Sequence, residues 1–262
     1  MAEAGAHDHE HGGGHIPKPA TVTQTMAKLL ARAFRTVSRL RGRRSLHPLG
    51  VGYQAQLQLA GDQRRWPGVP LLERPATYRA LVRCSRSTGL PEPLPDVLGI
   101  AVRLPSVYRD GADQDLLFSS VPDRPFLRGM LFPARSFLRG AFSTLLPYRV
   151  GRRRLILWLR PARKRPQGGG GYAFAELHRV VGVGAAFELW ASGGLRRARM
   201  IGRLSLTGPL PGADDLRFNP WNTGPGLRPT GWVNQLRRPS YAASQEGWTG
   251  REPRSIRSRR RR

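Results

Sequence analysis

Gly50-Val51-Gly52-Tyr53-Gln54-Ala55-Gln56-Leu57-Gln58-Leu59-Ala60 alternates with a period of two. Val51, Tyr53, Ala55, Leu57 and Leu59 fall on one face, and Gln54, Gln56 and Gln58 fall on the other. Successive side chains of an extended chain point to opposite sides, so this stretch buries one face and wets the other. Wound as a helix, the same residues would scatter the glutamines around the axis. The stretch reads as one strand of a half-buried antiparallel sheet.

Working outward, comparable runs occupy 78–85, 99–104, 115–119, 154–160, 172–177, 184–190 and 200–207, with turn residues between them. About eight short strands at this spacing predict an antiparallel barrel or sandwich. The 31 glycines and 23 prolines among 262 residues also argue against a helical bundle. Helices are expected at the flanks. Met26, Leu29, Leu30, Ala33, Val37 and Leu40 recur at helical spacing over 23–41. Phe126, Leu127, Met130, Leu131, Phe137, Leu138, Phe142 and Leu145 do so over 124–148, between prolines. A third helix is predicted from Thr230, a fitting N-cap, to residue 244. The fold class is therefore α+β, an antiparallel β-barrel of about eight strands with flanking helices. One domain is expected over 21–245. Residues 1–20, with His7, His9, His11 and His15, read as a disordered tail, 168–171 as a flexible glycine loop, and 246–262 as a disordered basic tail.

Lys and Arg number 44 against 17 Asp and Glu, a formal charge of +27. Such a charge suits an anionic partner, whether nucleic acid, lipid headgroups or an anionic cofactor. The basic residues are spread along the chain, with clusters at 41–44, 152–154, 163–165 and 257–262. No nucleic-acid reading motif accompanies them, so solvated arginine-rich faces are the plainer reading and nucleic-acid binding through the basic tail the lesser one. The single Cys84 excludes an intramolecular disulfide framework and an all-cysteine zinc site. No apolar run is long enough to span a membrane, and the polar N-terminus lacks the apolar core of a signal peptide. A cytoplasmic protein is the expectation.

Four segments carry candidate chemistry. They are Arg44-Ser45-Leu46-His47-Pro48-Leu49-Gly50, Val82-Arg83-Cys84-Ser85, Asp96-Val97-Leu98-Gly99-Ile100-Ala101-Val102-Arg103, and Arg237-Arg238-Pro239-Ser240-Tyr241. In this order they resemble the haem catalases, above all their small, truncated relatives. That family opens its barrel with Arg-x-x-His-x-x-Gly, continues with an Arg-x-Ser strand and an Asp-x-x-Gly-x-Ala-x-basic strand, and closes with Arg-x-x-x-Tyr. The run 201–207, then Phe218-Asn219-Pro220-Trp221 and Arg228-Pro229, is similar to the approach to the family's proximal helix. The resemblance covers roughly residues 40–245.

The resemblance implies haem (heme) b as cofactor, with Tyr241 as the axial ligand of its iron. The residues fit that role. Arg237 and Tyr241 are one helical turn apart, and a neighbouring guanidinium favours the phenolate over the phenol. By the same resemblance His47 is the distal acid–base group, Ser85 holds its imidazole, and Arg44 and Arg83 neutralise the haem propionates. His178 is read as structural.

In catalases the strand matching 115–120 ends in a distal asparagine; here Ser119 and Ser120 stand in that place, and Ser120 is taken as its substitute. The long wrapping and C-terminal regions of full-size catalases also have no counterpart in the resemblance, which implies a more open haem edge. The expected function is a haem-dependent oxidoreductase acting on hydrogen peroxide or an organic hydroperoxide, peroxidase-like rather than an efficient catalase. The alternatives are a catalase-fold haem-binding or sensing protein with little turnover, and a basic nucleic-acid-binding β domain. The oligomeric state is left open.

Overall fold

A computed structural model describes residues 49–230, apart from positions 88, 90, 91, 125, 126, 128, 146, 152, 163–172 and 194–197. The described residues belong to one unit, within 45–262. The expected helices over 23–41 and 230–244, both tails, the glycine loop, and the site residues Arg44, His47, Arg237 and Tyr241 lie outside them.

The described strands are β1 (Leu49–Leu59), β2 (Ala76–Arg86), β3 (Leu98–Leu104), β4 (Gln114–Val121), β5 (Ala141–Ser143), β6 (Tyr148–Val150), β7 (Arg153–Pro161), β8 (Ala186–Ser192), β9 (Arg199–Pro209) and β10 (Arg228–Pro229). A short helix, α1 (Pro70–Glu73), follows β1, and α2 (Ala173–Val181) joins β7 to β8. All strand pairings are antiparallel. β1, β2, β3, β4, β5, β7, β8 and β9 pair in that cyclic order and close an eight-stranded barrel. Closure leaves no unpaired edge in the ring. β5 and β6 share one edge of β7: β6 pairs with Arg153–Leu155 and β5 with Trp158 and Leu159. β10 pairs on the far side of β6.

The alternation in β1 decides which face is inside. Tyr53, Ala55, Leu57 and Leu59 are at most 2% exposed and sit in one core with Val82 and Cys84 of β2, Ile100 and Val102 of β3, Leu116 and Phe118 of β4, and Phe187 of β8. Gln54, Gln56 and Gln58 are exposed. α2 adds Ala173, Leu177, Val180 and Val181 to the same core. Phe174 of α2 stacks on Phe137, which stacks in turn on Phe142 of β5. Burial pushes the Tyr53 phenol up, and its hydroxyl shares a hydrogen bond with His178 Nδ1 at 3.4 Å. His178 itself is exposed and meets the Tyr53 ring edge-on, with the ring centroids 5.5 Å apart.

Two sequence expectations are corrected. The segment 172–177 reads as alternating, yet Ala173–Val181 is helical. Extended to Val181, its apolar positions 173, 177, 180 and 181 return every three to four residues, and Gly182 to Gly184 stop the helix. Conversely, the described part of 124–148 is not a helix. Pro133, Pro147 and Gly140 interrupt it, its backbone pairs outward instead (Phe132 N to Ser120 O, Ala134 N to Asp96 O), and it supplies β5, one of the eight barrel strands.

The β1–β9 contact is close at Gly202. A Cβ there would stand 2.4 Å from the Gln58 carbonyl oxygen and 2.7 Å from Leu59 Cδ2. Because the first of these is backbone in the neighbouring strand, Gly202→Ala is expected to destabilise the barrel by about 1–3 kcal/mol, read as a lower denaturant midpoint.

Candidate functional site

Cross-strand register places one unbroken row of small residues on the outer face of the barrel. Gly50 of β1 is opposite Ser85 of β2, Ser85 opposite Gly99 of β3, Gly99 opposite Ser119 of β4, and Ser119 opposite Ser143 of β5. At a strand spacing of about 4.8 Å this row spans about 19 Å. The next row in the strand direction holds Gly52, Arg83, Ala101 and Leu117. The first row ends at Trp158 of β7, opposite Ser143 and fully buried. The result is a row without large side chains close to backbone, a floor bounded at one end by an indole; Gly50 and Ser119 are partly exposed along it, and Ser85, Gly99 and Ser143 are buried.

A segment after β9 crosses the same face and bounds the floor. Leu210 N donates to Gly52 O, and a Cβ on Gly52 would fall 2.0 Å from that of Ala213. Further along, Arg103 forms a two-pronged ion pair with the buried Asp115, Nε to Oδ1 and Nη2 to Oδ2, both 2.7 Å. Arg103 Nη2 also donates to Arg217 O at 2.6 Å, and Asn219 N donates to Asp115 Oδ2 at 2.8 Å. The hydrogen bond to Asp115 raises the Arg103 pKa, against the opposing effect of burial. The pair is thus a clamp that holds 217–219 across β3 and β4. Beside it, Gly224 leaves room for the Tyr108 ring, which a Cβ would meet at 2.2 Å. The Tyr108 hydroxyl donates to Gln114 Oε1 at 2.7 Å, and burial pushes its pKa up to about 12.

Of the residues singled out from sequence, the structure brings Arg83 and Ser85 together on the floor. Arg83 is half-buried and lies across Gly50, whose Cβ would fall 2.5 Å from the guanidinium carbon. Ser85 is 5% exposed. Cys84, between them, points into the core, and its burial raises the thiol pKa against the lowering influence of Arg83. Ser120 is not with them. It faces inward with Phe118, its hydroxyl donates to Phe132 O at 2.6 Å, and it accepts from Leu98 N at 3.0 Å. Ser120 ties strand ends together; Ser119, one residue earlier, is the β4 serine on the floor.

Sequence reasoning missed Gly50, Gly99, Ser119 and Ser143 as members of one surface. The available signal was parity: Phe118 had to be core, which puts Ser120 inside and Ser119 outside. Ser143 had no such signal, since its strand is three residues long. Among the described residues no three His, Cys, Asp or Glu side chains stand together so as to hold a metal ion. Among them, too, no helix is long and apolar enough to cross a membrane.

No protein-family model matches the chain, and no curated protein does. Solved structures do. A fungal catalase matches with a TM-score of 0.61 and 14% identity over 92% of this chain. Catalase A from Saccharomyces cerevisiae matches at 0.62 and 12% over 92%, and a bacterial catalase at 0.61 and 12% over 90%. The chain spans 65%, 67% and 62% of the lengths of these three proteins. The barrel has the catalase-like fold.

Proposed function

We propose that the outer face of β1–β5 is the floor of a haem site, and that the chain is a haem-dependent oxidoreductase acting on a hydroperoxide, peroxidase-like rather than an efficient catalase. The observation that carries this reading is the row Gly50, Ser85, Gly99, Ser119, Ser143 with Arg83 lying across one end. A flat macrocycle needs a surface without projecting side chains, and its carboxylates need a cation beside it; the floor offers both.

Bound haem supplies a redox-active iron at which the O–O bond of a hydroperoxide breaks. The remaining work falls to this chain. Tyr241 would hold the iron as a phenolate, and Arg237, four residues earlier in the sequence, would favour that anion. Arg83 and Arg44 neutralise the propionates. His47 takes the proton from one peroxide oxygen and returns it to the other, the leaving one. Ser85 orients that imidazole. Ser119 would offer a hydroxyl to the peroxide where a longer amide would serve a second peroxide better. The same shortness favours one other reading, a haem-binding or sensing protein with little turnover, which measured hydroperoxide consumption separates from the first.

The test is an absorption spectrum of the full chain after haem loading. A Soret band with ferric–phenolate charge-transfer features is expected, and Tyr241→Phe, which removes only the ligating oxygen, is expected to abolish those features and lower haem occupancy. An unchanged spectrum and occupancy in that variant would remove the proximal assignment; no haem uptake by the parent chain would remove the whole reading.

A further inference from the structure

Away from the floor, the small sheet β10–β6–β7 carries three arginines in a single cross-strand row. Arg228 of β10 is directly opposite Arg149 of β6, and Arg149 is directly opposite Arg154 of β7. All three are exposed. Like charges directly opposite one another destabilise a sheet. The register cannot slip to separate them, because Tyr148 and Val150, which flank Arg149, are buried on the other face. Several arginines elsewhere are paired, Arg65 with Asp62, Arg103 with Asp115, Arg139 with Glu176 and Arg160 with Asp123, while others such as Arg79 and Arg153 are exposed singly. Among the described residues no carboxylate stands within ion-pair distance of Arg149, Arg154 or Arg228.

We propose that this row is a docking surface for the phosphate backbone of a single-stranded nucleic acid. The argument is charge complementarity with a defined shape. Three arginines whose backbone positions step about 4.8 Å from strand to strand form a row about 10 Å long. A line suits a linear polyanion, and guanidinium forks match phosphate oxygens. Bound phosphates would remove the repulsion that the free row carries. A lipid surface fits less well. Among the described residues the exposed large apolar side chains are Leu94, Phe132, Val183 and Met200, and none is on β6, β7 or β10, so nothing beside the row would insert into a bilayer. The row offers no aromatic platform for bases, so the contact is with backbone and indifferent to sequence.

The experiment measures binding of fluorescein-labelled oligothymidylate to the full chain by anisotropy, from about 50 to 200 mM salt. The row variant is Arg149→Gln with Arg154→Gln and Arg228→Gln. The control, Arg64→Gln with Arg74→Gln and Arg79→Gln, removes equal charge from exposed arginines elsewhere. The row variant is expected to bind about 10- to 100-fold more weakly at the lowest salt and to lose about 2 from the slope of log K against log salt, with the control close to the parent. Equal losses in both variants would overturn the proposal, since the basic composition alone would then explain binding. So would a row variant that loses binding to phosphatidylcholine–phosphatidylserine vesicles but keeps the oligonucleotide. Arg149→Thr alone is expected to raise the thermal midpoint by relieving the repulsion; a lowered midpoint would show that the row exists for stability and overturn its reading as a retained cost.

Discussion

With haem bound, His47→Ala is expected to lower hydroperoxide turnover by about 10²–10⁴-fold while leaving haem content unchanged. The size of the effect follows from what else the floor contains. Its described side chains are Ser85, Ser119, Ser143, Ala101, Leu117 and Arg83, beside Gly50, Gly52 and Gly99. A serine hydroxyl is too weak a base, and a guanidinium has no lone pair to offer. Cys84 points inward with a raised pKa. Asp115 faces outward but is engaged by Arg103 and Asn219 N. Asp96 accepts from Gly89 N at 2.9 Å and is buried. No described group at the floor is thus suited to shuttle a peroxide proton, and in the proposed function that role is given to His47, two residues ahead of β1 in the chain. Haem content by pyridine haemochrome and hydroperoxide consumption, measured on the same samples, check this. Partial recovery by added imidazole would strengthen the assignment, and unchanged turnover in the variant would end it.

What the sequence could and could not disclose follows the range of each signal. The period of two in β1 is local, and it set both the strand and its buried face correctly. The α2 segment deceived because Tyr172 to Leu177 alternates over six residues, while the helical period shows only when Val180 and Val181 are included. The segment 124–148 deceived in the other direction: aromatic spacing mimicked a helix, while prolines and contacts with Asp96 and Ser120 held the backbone open. Two features were beyond any local reading. The five-strand floor and the arginine row both arise from register between distant strands, and register is fixed by the core-facing partners rather than by the surface residues themselves. Gly50 and Ser143, or Arg149 and Arg228, share nothing in sequence that would announce their adjacency.

Ser119 and Ser120 give the sharpest separation between the two faces of β4, because the same substitution has opposite expected consequences at adjacent positions. Ser119→Asn extends a donor amide from the floor, beside Gly99 and Ser143. A catalase must orient a second hydrogen peroxide as reductant, and misplacement by about 1 Å can cost about 10²-fold. Restoring reach at Ser119 is thus expected to raise oxygen release from hydrogen peroxide by about 10- to 100-fold on haem-loaded protein, with little change in organic-hydroperoxide consumption. Ser120→Asn puts the larger side chain into a position 1% exposed and disturbs a hydroxyl that both donates to Phe132 O and accepts from Leu98 N. Overpacking and a lost buried hydrogen bond are expected to lower stability by about 1–3 kcal/mol, with no gain in oxygen release. Oxygen electrode traces and denaturant midpoints for the two variants check the pair. Oxygen release that rises with Ser120→Asn and not with Ser119→Asn would place the peroxide on the inner face and remove the outer floor as the site; release that rises with neither would leave haem retention without catalase chemistry as the function of that floor.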